Sequence, residues 1–169
     1  MGLAEGTGYL HRRYANHVPL SPLSFLDRAA DVHPERLAVR YGVRSYDFAA
    51  LRQRSRRLAG ALQRLGVGRG DVVAMLAANT PEIFEAHFGV PLAGGILNTI
   101  NTRLDADTIA YILDHGGARV FLTDTHLARE VRPQLICYCF CDVALDRKDV
   151  GQFAIKRIGP KMGIISRFD

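Results

Sequence analysis

The stretch Asp71-Val72-Val73-Ala74-Met75-Leu76-Ala77-Ala78-Asn79-Thr80-Pro81-Glu82 decides the fold. Its first half, Val72 to Leu76, is apolar at every position, so side chains on both faces of an extended chain are apolar. That is the pattern of an interior strand of a parallel sheet, covered on both sides. Its second half holds Thr80 as a cap, Pro81 at the first helical position and the acid Glu82 in the first turn, which predicts a helix from Pro81 to Ala93. A two-faced strand passing directly into a helix is the start of a strand–helix–strand crossover.

The same alternation extends in both directions. Upstream, Ser21 and Pro22 open a helix with Leu26, Ala29 and Ala30 as its apolar stripe, ending before Pro34. Leu37, Val39 and Tyr41 alternate with polar neighbours, and Gly42 turns the chain into a second short strand ending near Tyr46, a hairpin. Asp47 caps a long helix with Leu51, Ser55, Leu58, Leu62 and Leu65 at helical spacing, closed by Gly66. Downstream, Gly94-Gly95 ends the Pro81 helix and Ile96-Leu97 begins a strand. Asp105 or Asp107 opens a helix with Ile109, Ile112 and Leu113 inward, closed by Gly116-Gly117. Ala118 to Leu122 is a strand, and Asp124-Thr125 opens a last helix toward Leu135. The expectation is an α/β sheet with right-handed crossovers.

Composition bounds the classes. The 169 residues are 48% hydrophobic and 23% charged, a globular composition for one ordinary domain rather than two. No apolar run approaches the ~20 residues that span a bilayer. Residues 1–20 carry Arg12 and Arg13 without an apolar core behind them and do not read as a secretory signal. The three cysteines are therefore expected to be reduced thiols, and the chain cytoplasmic.

The net charge of +5 hides a change of vocabulary. All three lysines and all three cysteines lie after residue 135, whereas 16 of the arginines and 18 of the alanines lie before it. A boundary is expected there, with residues 1–135 as one partial domain and residues 136–169 as a separate tail. Ile136 to Cys141 is strand-like, but Asp146 to Asp169 has no sustained period and receives no assignment.

Candidate chemistry is sparse. Cys137, Cys139 and Cys141 are one cluster of three without a following histidine, whereas zinc sites want four ligands in two pairs. Gly66-Val67-Gly68-Arg69-Gly70 stands in the order helix, glycines, strand, the reverse of a dinucleotide-binding loop, so the glycines end a helix and turn the chain. No Gly-x-x-x-x-Gly-Lys-Ser/Thr and no Gly-x-Ser-x-Gly occurs, and the six histidines show no ligand spacing. His87, inside an apolar helix, reads as a hydrogen-bonded core residue before it reads as a pocket residue. Arg52, Arg54, Arg56, Arg57 and Arg64 spread over the helix faces the leucines leave free, a solvated surface; the sharper reading is contact with an acidic partner. No aromatic platform accompanies them, which disfavours nucleic acid.

Several stretches together resemble the N-terminal part of adenylate-forming (AMP-binding) enzymes, the acyl-CoA synthetase group. Pro19 to Ala30 looks like that group's opening helix, and Leu37 to Gly42 followed by Ser45-Tyr46-Asp47-Phe48 looks like its hairpin and helix cap, with Val43 a mild departure. Gly66-Val67-Gly68-Arg69-Gly70-Asp71-Val72-Val73-Ala74 matches a "G-V-x-x-G-D-x-V-A" segment. Asn79 to Glu82, Ala86 to Gly94 and Asn98 to Leu104 follow in order, so the resemblance spans residues 19–124. Asn16 to Leu20 with Ala86-His87-Phe88 is most similar to medium-chain or aromatic acyl-CoA ligases.

The resemblance implies a partial N-terminal subdomain of a ligase in fatty acid metabolism: a hairpin followed by helices and mainly parallel strands. It also implies a reaction in which a small carboxylic acid, ATP and CoA give acyl-CoA, AMP and diphosphate through an acyl-adenylate, assisted by Mg²⁺. The family's phosphate loop and catalytic lysine fall downstream of the matched region, and none of Lys148, Lys156 or Lys161 lies in a matching motif. No catalytic, cofactor-binding or metal residue is therefore carried over, and the chain is expected to be truncated, inactive alone, poorly soluble or partly folded, and continued after Leu135 by sequence read from a shifted frame or otherwise joined to the ligase part, or by a disordered tail. The alternative is a non-enzymatic interaction module using the Arg-rich helix. Neither the oligomeric state nor the acid activated follows from the residues.

Overall fold

A computed structural model describes residues 21–124, Leu127 and the backbone strands 140–142 and 153–158. The elements run α1 (Pro22–Val32), β1 (Leu37–Tyr41), β2 (Arg44–Asp47), α2 (Phe48–Arg64), β3 (Val72–Leu76), α3 (Pro81–Leu92), β4 (Ile96–Ile100), α4 (Ala106–His115), β5 (Ala118–Asp124), β6 (Phe140–Asp142) and β7 (Phe153–Ile158). β1 and β2 form an antiparallel hairpin. The main sheet has the order β4-β3-β5-β7-β6, with β3 parallel to both β4 and β5, and β7 antiparallel to β5 and β6.

The caps follow the sequence chemistry. Ser21 Oγ accepts from the Leu23 amide, Asp47 Oδ1 from Ala50 and Asp105 Oδ1 from Thr108. Asp105 is thus the cap of α4, and Asp107 falls in its first turn, where an acid suits the helix dipole. Thr80 holds the cap position of α3, yet its side chain makes no capping bond. α2 and α3 both end in a Schellman motif. Gly66 and Gly94 sit at φ +82° and +89°, while the Val67 and Gly95 amides reach back to Leu62 O and Val90 O.

The two-faced reading of β3 is correct, and the packing shows why it must be. Val73 and Met75, with Val120 and Leu122 of β5, face α2 and α3 and join Leu58, Leu62, Ala86 and Val90 in one core. Ala74 and Leu76, with Phe121, face the other way, where Ile109 and Leu113 of α4 and Ile100 close a second core. Alternate residues of one strand thus feed two hydrophobic layers. Burying a large side chain of this kind contributes about 1.5–3 kcal/mol. α1 lies against α2 and α3.

Two readings change. β5 extends to Asp124, beyond Leu122. The tail supplies β6, which overlaps the strand-like run ending at Cys141, and β7, in the stretch left unassigned; β7 lies along β5 from Val120↔Arg157 to Asp124↔Phe153. The helix expected after Asp124 falls outside the described residues, apart from Leu127.

Candidate functional site

The arginines of α2 are partitioned by helix geometry. Arg52 and Arg56, one turn apart, point to α1, where Asp27 and Asp31 stand at the same spacing. Arg52 pairs with Asp31, and Arg56 Nη2 donates to Asp27 Oδ1 at 3.0 Å. Exposed pairs of this kind contribute about 0–1 kcal/mol each. Beside them lies an open concavity of about 800 Å³, lined among others by Asp47, Gln53, Arg57 and Arg64. It is an electropositive surface whose one carboxylate, Asp47, is taken up in capping α2 through the Ala50 amide. Two of its guanidiniums already meet carboxylates of this same chain, which weakens the reading of the helix as a docking face for an acidic partner.

Arg54 turns the opposite way, and the sequence did not foretell its role. Its Nε donates to Glu85 Oε1 on α3 at 2.5 Å, and its guanidinium lies 4.7 Å from the centre of the Tyr46 ring. Next to it, Arg44 Nη1 donates to Glu82 Oε1 at 2.7 Å, with the Tyr41 ring 5.3 Å away. These contacts fasten the hairpin to the first turns of α3. Burial pushes the Glu85 carboxyl up, and the Arg54 hydrogen bond and charge only partly oppose it. For Glu82 burial also acts upward, but the Arg44 hydrogen bond and the residue's own amide are among the contacts that leave it below the usual glutamate range. The available signal for this cluster was Glu85 itself, the one carboxylate within the mostly apolar run Ile83 to Leu92.

The glycine loop is structural, as its order in the chain implies. Gly70 has φ +87°, and Asp71 Oδ2 accepts both the Gly68 amide at 2.8 Å and Arg119 Nη1 at 2.7 Å. Arg119 and the Gly68 amide together hold the Asp71 carboxyl below the usual aspartate range. His87 is not a core residue: it is exposed, and its Nδ1 lies 2.7 Å from Ile83 O. The neighbours that bury α3, namely Ala86, Gly89 and Val90, turn His87 outward. Cys137 and Cys139 lie outside the described residues; Cys141 falls in β6, where only the backbone is described.

At the carboxyl ends of the parallel strands, where open α/β sheets usually bind ligands, lies a crevice of about 220 Å³. Leu76, Thr102, Leu104, Asp105, Ile109 and Leu127 are among its walls. Its carboxylate is already engaged: Asp105 accepts from the Thr108 amide and from Thr108 Oγ1 at 2.7 Å. Among the described residues no group of three or more His, Cys, Asp or Glu could hold a metal ion, and no helix is long and apolar enough to cross a membrane.

Comparison with known proteins places this geometry. The family model for the AMP-binding enzyme matches residues 26–154. The chain is 48% identical over 110 residues to a peroxisomal acetate/butyrate–CoA ligase of Arabidopsis thaliana, covering 65% of this chain and 19% of that protein. It is 44% identical over 115 residues to an acetate–CoA ligase of Humulus lupulus, covering 68% and 20%. Among solved structures, the O-succinylbenzoate coenzyme A synthetase of Bacillus subtilis, in complex with AMP, superposes with a TM-score of 0.58 and 31% identity over 60% of this chain and 27% of that one. The chain thus spans about a fifth of the length of the curated relatives it matches. With a family model covering most of its residues and a superposable α/β sheet, the chain belongs to the AMP-binding enzyme family.

Proposed function

We propose that this chain is the N-terminal part of an ATP-dependent acyl-CoA ligase. The whole protein would convert a small carboxylic acid to its acyl-adenylate with release of diphosphate, and then to acyl-CoA with release of AMP. The observation that carries this reading is the family match over residues 26–154, supported by relatives named as acetate and butyrate ligases.

The glycine loop joins helix to strand, the reverse of a phosphate-cradling order, and its one carboxylate is committed to Arg119, so no ATP- or Mg²⁺-binding residue is assigned among the described residues. No catalytic step is therefore derived through those groups. What this part of the chain does is build the two-layered core and fasten the hairpin to α3. By itself it is proposed to be inactive. We further read residues 136–169 as differently encoded sequence joined to the ligase part, although the family match continues to residue 154. The chain is proposed to be cytoplasmic, with its cysteines as reduced thiols, a reading that organellar puncta of a fluorescent fusion would overturn.

The test is carboxylate-dependent exchange of pyrophosphate into ATP, with acetate, butyrate, octanoate and benzoate as acids. The purified chain is expected to show none, and exchange above background overturns its inactivity. The coding DNA is then read past codon 136 in all three frames, and the protein encoded by a frame that continues the ligase sequence is assayed likewise. Exchange by that longer protein supports the ligase reading; none with any acid counts against it.

A further inference from the structure

Among the described residues the sheet ends in two very different edges. β6, at one side, is three residues long and carries Asp142, two features that discourage further pairing. β4, at the other, is Ile96-Leu97-Asn98-Thr99-Ile100, five residues with no charge and no proline. The uncharged run extends from Gly94 to Thr102. Among the described residues β4 pairs only with β3, so its outer row of amides and carbonyls is unpaired. Ile96 is 55% exposed at the same edge. A free edge of this kind is a template for another strand.

The sequence of β4 says which strand fits. Read about Asn98, it is nearly its own reverse: isoleucine at both ends, one residue of moderate size on each side, and asparagine in the middle. Antiparallel pairing of two copies about a two-fold axis sets Ile96 opposite Ile100, Leu97 opposite Thr99, and Asn98 opposite its symmetry mate. Side chains that alternate along β4 then meet matching faces. Ile96, Asn98 and Ile100 share the face of α4, where Ile100 is buried and the Asn98 amide lies beside Gly116. Such a pairing is isologous and closes on itself.

We propose that the outer edge of β4 is an interaction surface for a second copy of this chain, joined antiparallel about Asn98 so that the two sheets become one. A five-residue strand pair is small, of the class that buries less than about 1,200 Å² and associates weakly. The dimer is therefore concentration-dependent.

The experiment is sedimentation equilibrium of the full 169-residue chain at rising concentration, beside Thr99→Lys. Thr99 is exposed, so the lysine leaves the core intact while placing a charge on the edge. The wild type is expected to shift from monomer to dimer, and Thr99→Lys to remain monomeric with an unchanged circular dichroism spectrum. A second variant, Asn98→Cys with Cys137, Cys139 and Cys141 changed to Ser, brings two thiols together at the axis and is expected to yield a disulfide-linked dimer on mild oxidation. A wild type that stays monomeric overturns the proposal. So does a Thr99→Lys that dimerises as the wild type does, or an Asn98→Cys that fails to cross-link while the wild type dimerises; each would place the contact elsewhere.

Discussion

Arg119, the second residue of β5, holds Asp71, which precedes β3, through Nη1 to Oδ2 at 2.7 Å. The same carboxylate oxygen accepts the Gly68 amide, so one aspartate ties the glycine turn to two adjacent strands. The aspartate of the Gly-Val-x-x-Gly-Asp motif thus sets where β3 enters the sheet.

The Asp71 carboxyl lies below its ordinary value of 3.8, mainly through Arg119 and then through the Gly68 amide. A lowered folded-state pKa gives stability that is present above the unfolded value and lost as pH falls through the folded one. Asp71→Asn is therefore expected to melt below the wild type at neutral pH, and the gap to close in acid below about pH 4. Thermal melts of both proteins across pH 2–7 measure it, and a constant gap would refute the assignment.

Glu85 shifts the other way. Its raised folded-state pKa, caused first by burial, gives stability that is full below the unfolded glutamate value and declines as pH rises through the folded one. Arg54→Met keeps the stem of the side chain but removes the charge that offsets this cost. It is expected to lose about 1–3 kcal/mol at pH 7, discounted for the partial exposure of Arg54. At pH 4 the loss should be smaller, because Glu85 is then protonated. Denaturant titrations at the two pH values decide the point.

α2 and α3 cross at Gly89, where an added Cβ would lie 2.7 Å from Leu58 Cδ2 and 2.9 Å from its Cγ. Gly89→Ala is expected to cost about 1–3 kcal/mol by overpacking. Leu58→Ala alone should cost about 2–5 kcal/mol. The double variant should be more stable than the sum of the single losses predicts, since the new methyl fills part of the vacated space. A double-mutant cycle by chemical denaturation reads the coupling, and strict additivity would mean that the helices do not meet as described.

Phe121 is 1% exposed and packs in the α4-side core, whereas Val43, at the hairpin tip, is fully exposed. Phe121→Ala is expected to cost about 3–5 kcal/mol, a large fraction of the ~5–15 kcal/mol that holds an ordinary domain together. Val43→Thr should stay within about 0.5 kcal/mol. Matched urea melts of the two variants test whether the second core is a real layer.

Much of the architecture is written in the chain itself, because local chemistry acts over a few residues. Asp47 and Asp105 cap whatever helix follows them, Gly66 and Gly94 supply the left-handed residue a helix end needs, and Val72 to Leu76 can be stable only when covered on both faces. The ordered segments from Pro19 to Leu104 likewise carry the family.

What the sequence could not show are the relationships between residues distant along the chain. Arg52, Arg54 and Arg56 look alike in a list, yet helix rotation sends two of them to α1 and one to Glu85, dozens of positions away. His87 sits among apolar neighbours in sequence but faces out, because α3 turns Ala86, Gly89 and Val90 toward α2 and the sheet. Backbone hydrogen bonds let β7 pair with β5 without any side-chain period to announce it. Capping and hydrophobic alternation are properties of neighbouring residues and so can be read along the chain. Ion pairs, burial and strand order depend on which distant segments meet, and folding alone settles that.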